Sequence, residues 1–135
     1  MSKYKNKKYG IYRSGLEKNC ADLLKQNNIY FEYEPWEVLL LDSFVCDLEV
    51  FEKSRKKYTK RNQSKLRKIT YTPDFVGENW IIETKGRKTA DFMLKWKLFK
   101  KYLMDNNLKY TLFMPTNTKE ILESIKYIKE YEKRI

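Results

Sequence analysis

The sequence predicts an α/β fold, a mixed sheet flanked by helices within a single domain. Three observations carry the prediction. Apolar residues recur at helical spacing in three separate segments, β-branched and aromatic residues crowd into runs between the first two, and a short strand-like run separates the last two. The order is therefore helix, strands, helix, strand, helix, an alternation that builds layered α/β domains. At 135 residues the chain is long enough for one core and shows no linker or repeat that would divide it.

The first helix is expected over "SGLEKNCADLLKQNN", where Leu16, Cys20, Leu23 and Leu24 form the apolar stripe. Ser14 is a good N-cap, and Glu17 stands where the acid of a capping box belongs. "IYFEYEPWEVLLLDSFVCDLEVF" reads as strand, with Asp42-Ser43 as the expected hairpin turn. Two further strands are expected in "ITYTPDFV" and "WIIETKG", joined through Gly77-Glu78-Asn79. A second helix is expected from about Ala90 to Asp105, with Phe92, Trp96, Phe99 and Leu103 on one face. "LKYTLFM" is expected to be a buried strand ended by Pro115, and a final helix should turn Ile121, Ile125 and Ile128 inward.

Charge narrows the function. A net charge of +11 draws polyanions, and with no basic helix of wide apolar face, nucleic acid is the favoured partner. Residues 1–13 read as a flexible basic arm carrying Lys3, Lys5, Lys7, Lys8 and Arg13 without an acid. The segment 53–68 holds nine basic residues and no acidic one, and is expected to be a solvated loop or hairpin tip. From it, Lys56, Lys57, Lys60 and Arg61 are candidate DNA contacts, together with Arg87 near the candidate site. Tyr4, Tyr9, Tyr12 and Tyr58 are interleaved with these cations, suiting stacking or backbone contacts as well as simple filler. Recognition of shape and charge is expected, not of base sequence.

Other classes fall away. The chain has no histidine, which removes His-based metal sites and Ser-His or Cys-His nucleophiles. Its two cysteines are far apart and suit reduced thiols, hence an intracellular setting, and neither a membrane span nor a signal peptide is expected. "GIY" at Gly10 to Tyr12 matches the first half of the GIY-YIG nuclease signature, but the second half does not follow.

The chemistry-bearing stretch is "YTPDFVGENWIIETKG". Glu83 and Lys85 leave one face of their strand, and a turn centred on Glu78-Asn79 sets Asp74 opposite Glu83. Facing carboxylates repel. A hard divalent cation such as Mg²⁺ offsets the repulsion, needing only one or two carboxylates with phosphate and water completing its shell. Asp74, Glu83 and the Thr84 carbonyl are the expected ligands, with Glu17 as a further acid for the same ion or a second one. Lys85 is placed to orient or deprotonate an attacking water or to meet charge developing on phosphorus. Tyr12 and Arg13, just before Glu17, are candidate phosphate contacts.

The PD…ExK pattern resembles the restriction-endonuclease-like superfamily. "RSGLE" (13–17), "FEYE-W-V" (31–38), "YTPDF" (71–75) and "ETKG" (83–86) occur in the same order in bacteriophage endonuclease I, the Holliday-junction resolvase family. The resemblance covers about residues 9–86. It implies a restriction-endonuclease-like αβββαβ core and a Mg²⁺-dependent endodeoxyribonuclease for branched DNA, with Mn²⁺ as a substitute. It also implies a homodimer with exchanged early elements, and catalytic roles for Glu17, Asp74, Glu83 and Lys85. A viral origin would place the protein in the host cytoplasm. The chain departs from the family in a longer segment between "WEV" and "TYTPDF" and in a shorter, unaligned part after "ETKG". The alternatives are a homing, transposon-end or restriction-type endonuclease acting on linear duplex, a relative that binds DNA without cutting it, and a basic protein that binds RNA.

Overall fold

The computed structural model describes residues 9–61 and 64–134. It is a mixed α/β structure with three helices: α1 (Gly15–Gln26), α2 (Ala90–Asp105) and α3 (Thr118–Arg134). The central sheet has four strands in the order β1 (Glu32–Tyr33), β8 (Phe75–Val76), β9 (Trp80–Ile82) and β10 (Thr111–Phe113). β1 and β9 run antiparallel to β8, whereas β10 runs parallel to β9. Parallel neighbours need a long crossover, and α2 supplies it.

Strand alternation divides the interior into two layers. Trp80 and Ile82 of β9 and Phe75 of β8 join Cys20, Ala21 and Leu24 of α1 and Ile121, Ile125 and Ile128 of α3 in one cluster. Ile81 and Val76 point the other way and meet Phe92, Trp96, Phe99 and Leu103 of α2. The three helical stripes expected from periodicity are thus the buried faces, although Leu16 and Leu23 are only partly covered. Thr89 caps α2 and Ser14 caps α1, each accepting a backbone N–H three residues on.

The β8–β9 hairpin turns through Glu78-Asn79, with the Gly77 N–H donating to the Trp80 carbonyl at 2.9 Å. A Cβ on Gly77 would lie 2.0 Å from the Trp80 ring, so only glycine lets the buried indole cross the turn.

Several expected elements differ. "ITYTPDFV" is two strands, β7 (Ile69–Tyr71) and β8, parted at Thr72-Pro73-Asp74, because proline cannot donate to a ladder. "LKYTLFM" yields a three-residue strand, and β10 is only half-buried because it pairs on one side alone. Asp42-Ser43 is no hairpin turn. β2 (Val38–Leu41), β3 (Phe44–Cys46) and β4 (Val50–Ser54) run outward in succession, and β5 (Lys57–Arg61), β6 (Ser64–Leu66) and β7 return, pairing β4–β5, β3–β6 and β2–β7. The register passes unbroken from Leu41↔Ile69 to Phe44↔Leu66, so residues 42–43 lie within one two-stranded ribbon. Of the basic segment, residues 53–61 form its distal part and residues 64–68 run back along β3 to its root. The turn lies at Arg55-Lys56, between the paired Ser54 and Lys57.

The basic arm expected over residues 1–13 also changes. Residues 1–8, with Lys3, Tyr4, Lys5, Lys7 and Lys8, lie outside the described residues. Tyr9 packs on the first core cluster, and Tyr12 is buried within it, edge-on to Tyr33 at 4.8 Å. Tyr12 is therefore a core residue, its ring packed on Tyr33 and Phe75 rather than offered to a phosphate. No described helix is long and apolar enough to cross a membrane. Cys20 and Cys46 are both free.

A candidate active site of clustered carboxylates

The β8–β9 register pairs Phe75 with Ile82, so Asp74 lies across from Glu83 one step further along. By alternation Asp74 shares the face of Val76 and Glu83 that of Ile81, the face covered by α2. β9 continues its pairing with the β10 side beyond its formal end: the Glu83 N–H donates to the Phe113 carbonyl at 2.8 Å and the Lys85 N–H to the Pro115 carbonyl at 3.1 Å. This ladder holds Glu83, Thr84 and Lys85 in extended register.

A cleft of about 470 Å³ opens at this end of the sheet, lined by Arg13, Glu17, Glu34, Thr70, Tyr71, Thr72, Asp74, Glu83, Thr84, Lys85, Thr89, Asp91, Phe92 and Lys95. The first turns of α1 and α2 both reach it, and helix N-termini favour anions. Four sequence-predicted site residues, Glu17, Asp74, Glu83 and Lys85, therefore meet in one cleft, with Thr84 and Arg13 beside them. Lys56, Lys57, Lys60 and Arg61 lie instead on the ribbon, and Arg87 is exposed in the loop after β9.

Glu17, Asp74 and Glu83 are each less than a tenth exposed, an unusual state for three acids. Each is held by a specific donor. Thr84 gives Asp74 Oδ2 both its backbone N–H, at 3.0 Å, and its hydroxyl, at 2.9 Å. The Tyr71 hydroxyl donates to Glu83 Oε1. The Tyr33 hydroxyl donates to Glu17 Oε1 at 2.5 Å. The capping box is only half formed. The Glu17 N–H donates to Ser14 Oγ at 3.1 Å, but the Glu17 carboxylate accepts from the Arg13 N–H at 3.4 Å and turns toward Tyr33. Among the described residues none donates to Asp74 Oδ1 or Glu17 Oε2.

The electrostatics follow from burial. Desolvation, then the charges of Glu83 and Glu17, raise the Asp74 carboxyl well above the usual range, against the lowering effect of Thr84. Burial raises Glu83 to about 7, although the Tyr71 hydroxyl and the Lys85 ammonium oppose the shift. The same site pushes the Tyr71 and Tyr33 phenols and the Cys20 thiol upward, by burial first and by the acids second. Cys20 is accordingly an inert thiol beneath the acids. The Lys85 ammonium sits 4.2 Å from the centre of the Phe92 ring, a cation–π contact that fixes the cation beside the carboxylates. Arg13 pairs with Glu34 at 3.1 Å across the rim.

The donor set suits a hard cation: oxygen ligands alone, mutually repelling and largely dehydrated. Among the described residues no group of three or more His, Cys, Asp and Glu side chains stands ready to hold a metal ion. The fit is therefore to a pair, Asp74 and Glu83, which suffices for Mg²⁺ with water and phosphate completing the shell. Glu17 is drawn aside by Tyr33. The observed contacts of Thr84 orient Asp74; the sequence reading used only its carbonyl.

Sequence reasoning missed Tyr33, Tyr71 and Lys95. Tyr71 had a signal, as a tyrosine three residues before the key aspartate in a strand that turns toward Glu83. Lys95 lies one turn after Phe92 on α2, on the face toward the cleft. Tyr33 had none, because its reach to Glu17 depends on β1 lying beside β8. Comparison of the chain with protein-family models, with curated proteins and with solved structures returned no match.

Proposed function

We propose that the protein is a metal-dependent endodeoxyribonuclease of restriction-endonuclease-like architecture that hydrolyses phosphodiesters in branched DNA. One observation carries the reading: Asp74 and Glu83, buried and facing each other across a hairpin, share a cleft with the positioned ammonium of Lys85. Such a pair costs stability in a sheet that only fills a core, and perturbed acids in a cleft mark functional sites.

A divalent ion held by Asp74 and Glu83 would acidify water and polarise a phosphoryl oxygen. The chain's own groups do the rest. Thr84 and Tyr71 fix the two carboxylates by direct hydrogen bonds. Lys85, braced on Phe92, meets charge developing on the phosphate or orients the attacking water. Lys95, Arg13 and the N-terminal turns of α1 and α2 neutralise flanking phosphates. Glu17, held by Tyr33, is a third acid lining the same cleft. Branched DNA as substrate, and a two-fold dimer that would present two such clefts to symmetric strands, rest on the motif resemblance and the charge of +11.

The test is a panel of synthetic four-way junction, flap, mismatch and linear duplex incubated with Mg²⁺, set beside the solution mass. Nicking of the junction is expected, with loss in Asp74→Ala and Lys85→Ala protein. Full activity in either variant sinks the assignment. Equal cutting of linear duplex replaces the junction reading with a duplex endonuclease, and tight binding without cutting replaces it with a binding protein.

A further inference from the structure

The two-stranded ribbon, described over residues 42–61 and 64–68, contributes no residue to either core cluster among the described residues. Its exposed apolar side chains are nonetheless large: Phe44, Val45, Leu48, Phe51 and Tyr58 are each about half exposed or more. Solvated ribbons are marginal alone, so a ribbon of this composition needs a reason to persist.

Cross-strand partners share a face, and the register Phe51↔Lys60 and Lys53↔Tyr58 places these four residues on one side of the distal hairpin. The Phe51 and Tyr58 rings stack, 6.2 Å apart and 22° from parallel. Glu52 faces the other side, beside Thr59. The result is an exposed aromatic plate between two lysines, with Arg55 and Lys56 at the tip. The charge on this plate is cationic. Among the described residues it makes one ion pair, Lys60 with the highly exposed Glu49, a contact of the kind that contributes little.

We propose that the ribbon is a groove-binding element for duplex DNA, laying its Phe51/Tyr58 face on the groove wall while Lys53, Lys56 and Lys60 meet flanking phosphates. The dimensions agree. The major groove, about 12 Å wide, admits a two-stranded ribbon. At about 3.3 Å per residue the arm between Leu41 and the tip extends for at most about 45 Å. Its root is continuous with the cleft, since Thr70 and Tyr71 of β7 line it. The ribbon would thus hold duplex flanking a phosphate in the cleft. This deepens the nuclease reading by naming where the duplex beside the cut is gripped, and rests on it for that relation alone.

The test separates the two. Binding to a duplex of about 40 base pairs is measured in EDTA by anisotropy across a salt series, so no cleavage enters. In Lys53→Gln/Lys56→Gln/Lys60→Gln protein, affinity should fall about ten-fold or more near physiological salt, and the salt slope should shrink by about 2–3, one per lost phosphate contact. Phe51→Ala/Tyr58→Ala should weaken binding several-fold with the slope unchanged, because apolar contact releases no counterion. Unaltered thermal transitions show that both variants fold. Unchanged affinity and slope in both overturn the proposal, as does a change in solution mass without loss of DNA binding, which would make the face a contact between copies of the chain. Loss of binding in the variants of a wild-type protein that cuts nothing would retain the ribbon's role and remove the nuclease.

Discussion

The cleft and the ribbon are inverse solutions to carrying charge. The cleft buries acids: Glu17, Asp74 and Glu83 lie in a dehydrated corner, and burial drives the carboxyls of Asp74 and Glu83 upward. The ribbon exposes bases and leaves phenylalanine and tyrosine in water beside them. Buried like charges cost stability, so they point to a ligand that would remove the cost. Exposed charges cost little, so they need only a partner whose field they meet. Side chains are fixed by many partners in the cleft and by few in the ribbon, and substitutions should separate the two regions by size of effect.

The largest effect is expected on cleavage. Asp74→Ala or Lys85→Ala should reduce Mg²⁺-dependent junction nicking by about 10³-fold or more, equivalent to about 4 kcal/mol of transition-state stabilisation. Tyr71→Phe should cost less, because it loosens Glu83 without removing it. Initial rates under single-turnover conditions rank the three. A Tyr71→Phe loss equal to that of Asp74→Ala would move the tyrosine from orienting Glu83 to a direct part in the reaction.

Next come the two hairpin turns. Gly77→Ala places a methyl 2.0 Å from the buried Trp80 ring and should destabilise the protein by about 2–3 kcal/mol, read as a lower urea midpoint. The ribbon turn has no such cover, and equal sensitivity of the two turns would erase the contrast between packed body and exposed arm.

Smaller still is the effect of relieving the acids. A raised carboxyl contributes stability below its ordinary value and loses it as pH climbs through the folded value. For Glu83 the loss falls between 4.5 and about 7. The metal-free protein should therefore lose stability from this group over that interval, and Asp74→Asn should recover part of it at pH 8. If the proposed Mg²⁺ takes the deprotonated pair, it should raise the melting temperature at pH 8 more than at pH 5.5, and EDTA should reverse the gain. Equal Mg²⁺ shifts at both pH values, or an undiminished shift in Asp74→Asn, would detach the metal from this pair.

Legibility in the sequence followed the range of the interactions. The helices were legible because Phe92, Trp96, Phe99 and Leu103 repeat at helical spacing whatever they pack on. The opposition of Asp74 and Glu83 was legible because one short turn fixes the register. Tyr33 on Glu17 was not, because it depends on β1 meeting β8 across some forty residues of chain. Asp42-Ser43 looked like a turn because both residue types favour turns locally; the distant pairing of Phe44 with Leu66 carries the chain straight on past them. Tyr12 sat among cations in sequence and in the core in space, since the neighbours that bury it come from β1 and β8.

The smallest effect belongs to the ribbon turn. Arg55 opens the loop with φ of 58°, in the left-handed region that a residue with a Cβ enters at a cost of about 1 kcal/mol. Arg55→Gly relieves that strain but frees the unfolded chain by a comparable amount, so global stability should change by less than about 0.5 kcal/mol. The hairpin reports locally what the whole fold does not. Its amides open without the core, so hydrogen exchange in β4 and β5 should be fast relative to β9 in the parent protein. If Arg55→Gly moves the global urea midpoint as far as Gly77→Ala does, the ribbon is coupled to the core and its exposed aromatics are not free to meet a partner.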